Sequence, residues 1–298
     1  MSTILTTQDQ SAPGRGFVLM LGATLLFVSL DATAKYLSES YPIAQIVWAR
    51  YTALAVLLAL FLGRRLPAVL RTRRLGLQVW RSIALMATTG LFFSALSYIP
   101  LADATAIMFV APILVTALSM PLLGERVGPR RWASIVVGFG GALIIIRPGT
   151  SAMDPAALLA LAAAACYALY QIATRRLSRS DGPMTTLFYS ALVGAALTSL
   201  SVPFAWIAPR SFGDGLALAV LGVLGGLGHF LLIKAFGAAP AATVSGFGYF
   251  TLVWAALLGF AVFGDLPDPW TVAGALVIAG SGLYILHRER VRKAAVPR

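Results

Sequence analysis

Charge is scarce in this chain, and so are the residues that metal and thiol chemistry use. Only 11% of its 298 residues are Asp, Glu, Lys or Arg, against about a quarter in a soluble domain. There is one cysteine, Cys166, and the two histidines, His229 and His287, fall in different segments. A disulfide within the chain is excluded, and no His/Cys/carboxylate group has the spacing of a metal site. No Walker sequence occurs. The glycine-rich run Gly222-Val223-Leu224-Gly225-Gly226-Leu227-Gly228 lies inside an apolar stretch, so it reads as close helix packing and not as a phosphate cradle. Neither a cofactor nor a metal is expected, and no catalytic constellation is visible.

What the chain has in abundance is apolar sequence: 59% hydrophobic residues and a mean hydropathy of +0.84. The spacing predicts an all-α integral membrane protein with ten spans at roughly 16–37, 43–62, 79–99, 102–122, 130–147, 155–175, 184–207, 214–235, 240–263 and 270–287, each near the roughly 20 residues a bilayer requires. Phe17 to Leu30 is followed by Asp31 and Lys35 instead of a small-residue cleavage site, so it reads as the first membrane helix.

The net charge of +12 is topological. With the N-terminus in the cytoplasm, Arg64, Arg65, Arg71, Arg73, Arg74, Arg81, Arg126, Arg130, Arg131, Arg175, Arg176, Arg179 and the tail cations from Arg288 onward all fall inside. Only Lys35, Arg147 and Arg210 fall outside. This bias orients the chain with both termini cytoplasmic, and it argues against nucleic acid as a partner.

The chain also repeats itself at an offset of roughly 140. Asp31 and Lys35 match Gln171 and Arg175, Pro42 and Trp48 match Pro183 and Tyr189, Ala104-Thr105 match Ala242-Thr243, Gly124-Glu125 match Gly264-Asp265, and Trp132 matches Trp270. Five spans per half reverse the second half in the membrane. The cation-rich Gly124-Glu125-Arg126 turn and its cation-free counterpart Gly264-Asp265 fit an inverted repeat, with the solute site at the repeat interface.

Ala95-Leu96-Ser97-Tyr98, Ala104-Thr105-Ala106, Ala111-Pro112-Ile113, Leu123-Gly124-Glu125-Arg126 and Gly138-Phe139-Gly140-Gly141, in that order, resemble the signature half of EamA-type transporters of the drug/metabolite transporter superfamily. The second half repeats it more loosely, with Tyr249-Phe250 near the expected proline. The resemblance implies ten helices in two inverted five-helix repeats. It also implies alternating access around a central cavity lined by helices 1–4 and 6–9, with the fifth and tenth peripheral. The corresponding organisation is a tail at 1–15, repeats at 16–147 and 155–287, and a basic cytoplasmic tail at 288–298. Similar proteins export amino acids and assorted metabolites or import riboflavin and S-adenosylmethionine.

Ionisable groups inside a membrane are costly, so they face a cavity or a partner. Arg50 lies on the order of 12 Å inside its helix, and Asp31 sits at comparable depth. They are expected to pair, either as a fixed lock between helices or as a site where Arg50 meets a substrate carboxylate and Asp31 a coupling proton. Lys35, one turn beyond Asp31, is expected to pair with it locally or to snorkel. Gln171 and Gln45 offer hydrogen bonds to a solute or between helices. His229 suits proton coupling because its reference pKa is about 6.5. Trp48 and Tyr189 form an expected stacking pair, and Tyr98, Tyr249 and Trp254 are further aromatic candidates. Together these residues predict a secondary transporter of the bacterial inner membrane, a monomer or homodimer in lipid, with protons as a possible coupling ion. Export of an amino acid or drug-like solute leads; vitamin or cofactor uptake, a lipid-modifying membrane enzyme and a channel are the alternatives.

Overall fold

The computed structural model describes residues 13–123, 129–150, 154–178, 180–238 and 247–294. The Gly124-Glu125-Arg126 turn, Ala242-Thr243, Arg179 and the end of the basic tail lie outside the described residues. Among those described, every regular element is helical: α1 (Pro13–Ser38), α2 (Ile43–Leu62), α3 (Leu75–Leu96), α4 (Leu101–Met108), α5 (Ala111–Leu123), α6 (Pro129–Ile146), α7 (Ala156–Leu177), α8 (Pro183–Ser201), α9 (Phe212–Ala238), α10 (Phe250–Leu258) and α11 (Pro269–Ala294). Proline punctuates the starts. Pro42, Pro100 and Pro155 precede α2, α4 and α7, while Pro129, Pro183 and Pro269 open α6, α8 and α11. Its missing N–H costs nothing there, and its fixed φ suits the first turn.

Among the described residues, seven helical stretches are long and apolar enough to cross a membrane, and three shorter apolar helices accompany them. Leu60, Phe61, Leu200 and Phe204 are 72–91% exposed, which a water-facing surface would not tolerate over so wide an area. The chain is a multi-pass membrane protein.

Residues 101–123 do not form the single straight span expected over 102–122. They break at Phe109–Val110. Pro112 explains this, because its ring would clash with the carbonyl of Met108 and it has no N–H to give. A second break falls at Gly248–Tyr249, at the equivalent repeat position and without a proline. Phe109 and Tyr249 stack there at 4.9 Å, so the two breaks touch.

Packing follows the repeat. The main contacts are α1 on α9, α3 on α7, α6 on α11, α2 on α8 and α2 on α9. An offset of roughly 140 exchanges α1·α9 with α3·α7 and maps α6·α11 and α2·α8 onto themselves. Glycine allows the closest approaches. A Cβ on Gly274 would stand 2.5 Å from the carbonyl oxygen of Gly141, and one on Gly222 would stand 2.6 Å from the Leu54 nitrogen.

Contacts between connecting segments fall into two groups, one at each end of the bundle. At one end, Tyr41 donates to Asp214 (2.6 Å), Gln45 exchanges two hydrogen bonds with the backbone of Ile207, and Arg147 pairs with Asp268 at 2.8 Å. Lys35 also belongs here, and not beside Asp31: its ammonium donates to the Ile99 carbonyl (2.9 Å) and to Asp265 (3.2 Å). Ile99 lies in the turn between α3 and α4, where a carbonyl outside the helical ladder is free to accept from a cation. At the other end, Thr72 and Gln78 donate to Asp181, Tyr189 donates to the Leu70 carbonyl, and Arg176 reaches the Leu122 carbonyl.

Candidate functional site

Phe27, Asp31 and Lys35 are spaced by four, so they form one stripe on α1. Phe27 meets the His229 ring edge-on at 5.0 Å on α9, and Lys35 reaches the turn between α3 and α4 and the loop before α11. Both ends of the stripe point into the bundle, and Asp31 lies between them. Arg50 on α2 enters the same interior. It donates through Nη1 to Thr89 Oγ1 (3.1 Å) and lies over the rings of Tyr51 and Phe93. Tyr51 is 1% exposed and shares the Thr89 hydroxyl at 2.9 Å. On α7, Tyr167 stacks on Tyr170 at 5.4 Å, and Gln171 lies one turn beyond Tyr167 on the same face.

Arg50 is the electrostatic hub. It acts on Asp31, Tyr51, Tyr167 and His229 alike. The expected direct pairing is not formed: among the described residues no Asp31–Arg50 contact falls within 4 Å, and Arg50 spends its one hydrogen bond on Thr89. The physical reason is the Thr89 hydroxyl and the two rings, which hold the guanidinium against α3. Asp31, Tyr167, Gln171 and His229 have no side-chain hydrogen bond among the described residues. None of their polar atoms is sealed, and all four residues are half-buried. Interior polar groups left open in this way are satisfied by water or by a solute.

Arg81, which the sequence places among the cytoplasmic cations, is 3% exposed. Nε donates to Thr174 (2.7 Å), Nη1 to Ser190 Oγ (2.7 Å) and the Thr186 carbonyl (2.8 Å), and Nη2 to the Tyr170 hydroxyl (2.9 Å). It clamps α3 to α7 and α8, forming the floor beneath the open groups. Because α3 starts at Leu75 and not near 79, Arg81 lies well inside the helix. The early start was the signal available.

The remaining candidates lie elsewhere. Gln45 is spent on Ile207, and Trp48 packs on Trp206 at 5.5 Å and donates to Ser199. With Thr52, Val56, Leu218 and Val223 they line an apolar groove of about 470 Å³ between α2 and α9. Tyr189 bonds Leu70 near the other end, so Trp48 and Tyr189 do not form one platform. Tyr98 is 72% exposed. Tyr249 stacks on Phe109, and Trp254 packs against the core with its indole N–H buried and without an acceptor among the described residues.

The profile of the EamA-like transporter family matches twice, over residues 14–147 and 154–286. The chain belongs to this family. Its relatives include an S-adenosylmethionine uptake transporter of Rickettsia prowazekii, 30% identical over 87% of this chain and 88% of its own length. A riboflavin transporter of Vibrio cholerae is 30% identical over 93% and 94%. The pseudopaline exporter CntI of Pseudomonas aeruginosa is 30% identical over 88% and 93%. A solved crystal structure, 24% identical, superposes with a TM-score of 0.62 over 93% of this chain and 99% of its own, which is a likeness of fold. The EamA family is one of membrane transporters, and its double match on this chain parallels the exchange of packed pairs.

Proposed function

We propose that this EamA chain is a secondary active transporter that moves a small organic solute across the bacterial inner membrane by alternating access. The seven long and three shorter apolar helices support ten spans, with α4 and α5 counted as one crossing. The two repeats, 16–147 and 155–287, are then inverted, and both termini are cytoplasmic. The grouping of loop contacts into two ends supports this alternation.

The observation that carries the function is the set of open polar groups around Arg50. A guanidinium keeps its charge at any working pH, and here it has unused donors toward the interior. Asp31, Tyr167, Gln171 and His229 complete a site that suits a polar or zwitterionic solute, with Arg50 receiving a carboxylate. Arg81 closes the floor and is released when that end opens. The S-adenosylmethionine and riboflavin relatives favour uptake of a cofactor-like solute as the second reading beside amino-acid or drug-like export.

Purified protein in proteoliposomes, screened with amino acids, S-adenosylmethionine, riboflavin and nucleosides, tests the reading. Saturable counterflow of at least one solute is expected. Absence of counterflow across the panel, or single-channel currents in its place, would contradict it.

A further inference from the structure

At the end of the bundle opposite Arg81, five charges gather from both halves of the chain. Lys35 pairs with Asp265, Arg147 pairs with Asp268, and Asp103 on α4 is left over. Asp103 interacts electrostatically with Asp268, Arg147 and Asp265. Three carboxylates face two cations, so the group carries one uncompensated negative charge, and Asp103 is the carboxylate without a cation of its own. Its Oδ1 is sealed from solvent and has no hydrogen-bond partner among the described residues. Thr271 is 2% exposed, and its sealed hydroxyl lies close enough to Asp103 and Asp268 to act on both carboxylates, yet makes a well-formed hydrogen bond to neither among the described residues. Arg147 adds a third irregularity: its Nε is buried and unpartnered, and its φ of 50° is left-handed, a conformation uncommon outside glycine.

We infer that Asp103 is a proton-binding site that couples protonation to the closure of this end of the transporter, an inference that rests on the transport function proposed above. One proton from water binds the carboxylate, neutralises the group and gives the sealed Oδ1 an O–H that the Thr271 oxygen can accept. Arg147 then belongs wholly to Asp268, and the link between α6 and the loop before α11 holds. Loss of that proton to water restores a bare carboxylate, which competes with Asp268 for Arg147 and loosens the link.

The remaining elements leave this balance intact. Among the described residues, α1 contributes Lys35, α6 ends at Arg147, and α11 is preceded by Asp265 and Asp268. The charges within α3 and α7 lie at their far ends, Asp154 before α7 is engaged by the Ala156 N–H at 2.8 Å, and α10 has none. A metal does not compete with the proton: no three-ligand group among the described residues suits one. The sequence repeat offers no second copy, since Ala241 stands at the position equivalent to Asp103.

The test uses full-length protein in proteoliposomes with labelled S-adenosylmethionine or riboflavin, comparing rates with and without an imposed pH gradient. The wild-type ratio is expected to exceed unity and the Asp103→Asn ratio to fall to unity. An Asp103→Asn ratio equal to the wild type's, or a wild-type ratio of unity, would overturn the inference. A wild type that moves no solute at all would instead count against the transport reading. A readout independent of transport covers that case. One component of the carboxylic-acid C=O band in the infrared difference spectrum should titrate in wild type, be missing in Asp103→Asn and shift its midpoint in Thr271→Val; a difference spectrum unchanged in Asp103→Asn would refute the site.

Discussion

Arg50 and Arg81 are both guanidiniums in apolar surroundings, yet the protein uses them in opposite ways. Arg81 has acceptors on all three of its nitrogens, whereas Arg50 has an acceptor on one. Arg81→Ala therefore leaves Tyr170, Thr174 and Ser190 without their donor. The cost is about 3 kcal/mol, since hydrogen bonds to charged groups are each worth roughly 1.5–3 kcal/mol. Melting of the detergent-purified variant should fall by several degrees. Arg81→Lys should recover little of the loss, because an ammonium cannot reproduce the planar fork.

Asp181, outside the spans, gives a pH signature. Burial pushes its pKa up, but hydrogen bonds from Thr72 and Gln78 outweigh that and hold it below the usual carboxylate range. The ionised form thus stabilises this end above the ordinary value of about 3.9, and the contribution is lost as pH falls through the lower folded value. Acid melting curves of Asp181→Asn should be flatter than wild type there; identical curves would remove Asp181 from the account.

Asp31, Arg50 and His229 were legible in the sequence because a charge or imidazole inside an apolar run is conspicuous. Tyr167 was not, since a tyrosine in a span reads equally well as packing. Of the two expectations for Lys35, the local pair with Asp31 is not formed, because spacing identifies neighbours on a helix and not the acceptors that other segments bring to its end.

At the level of elements, the all-helical class and most helix starts follow from apolar length and proline placement. The break at Phe109–Val110 is explained by Pro112, while the break at Gly248–Tyr249 has no such marker. Packing distances were also invisible from sequence, because Gly222 gives no sign of which backbone it approaches. A Cβ there would press on Leu54 N and Ala53 Cβ, and backbone cannot yield as a side chain tip does. Gly222→Val should separate α2 from α9 and sharply lower the yield of monodisperse protein in size-exclusion chromatography. By contrast, Gly280, where a Cβ meets nothing within 4 Å, should accept Ala.

At the level of the whole molecule, the duplication supplies the scaffold and its unequal positions mark the proposed chemistry. In the sequence repeat Asp31 corresponds to Gln171 and Asp103 to Ala241, so the proposed solute and proton sites each use a carboxylate that only one half possesses. The same architecture fixes sidedness. With Cys166 replaced by Ala, a cysteine at Ser40 should react with an impermeant maleimide from outside intact cells and one at Ser178 only after lysis. The reverse pattern would invert the topology.

The central claim is that solute binds at the open guanidinium of Arg50. Counterflow in proteoliposomes tests it most directly, using whichever panel solute the wild type moves. Arg50→Gln, checked by melting to be folded, should bind that solute about 30-fold more weakly, the equivalent of roughly 2 kcal/mol for a lost charge-assisted hydrogen bond. Its counterflow should fall accordingly. Undiminished affinity and counterflow in folded Arg50→Gln would contradict the account.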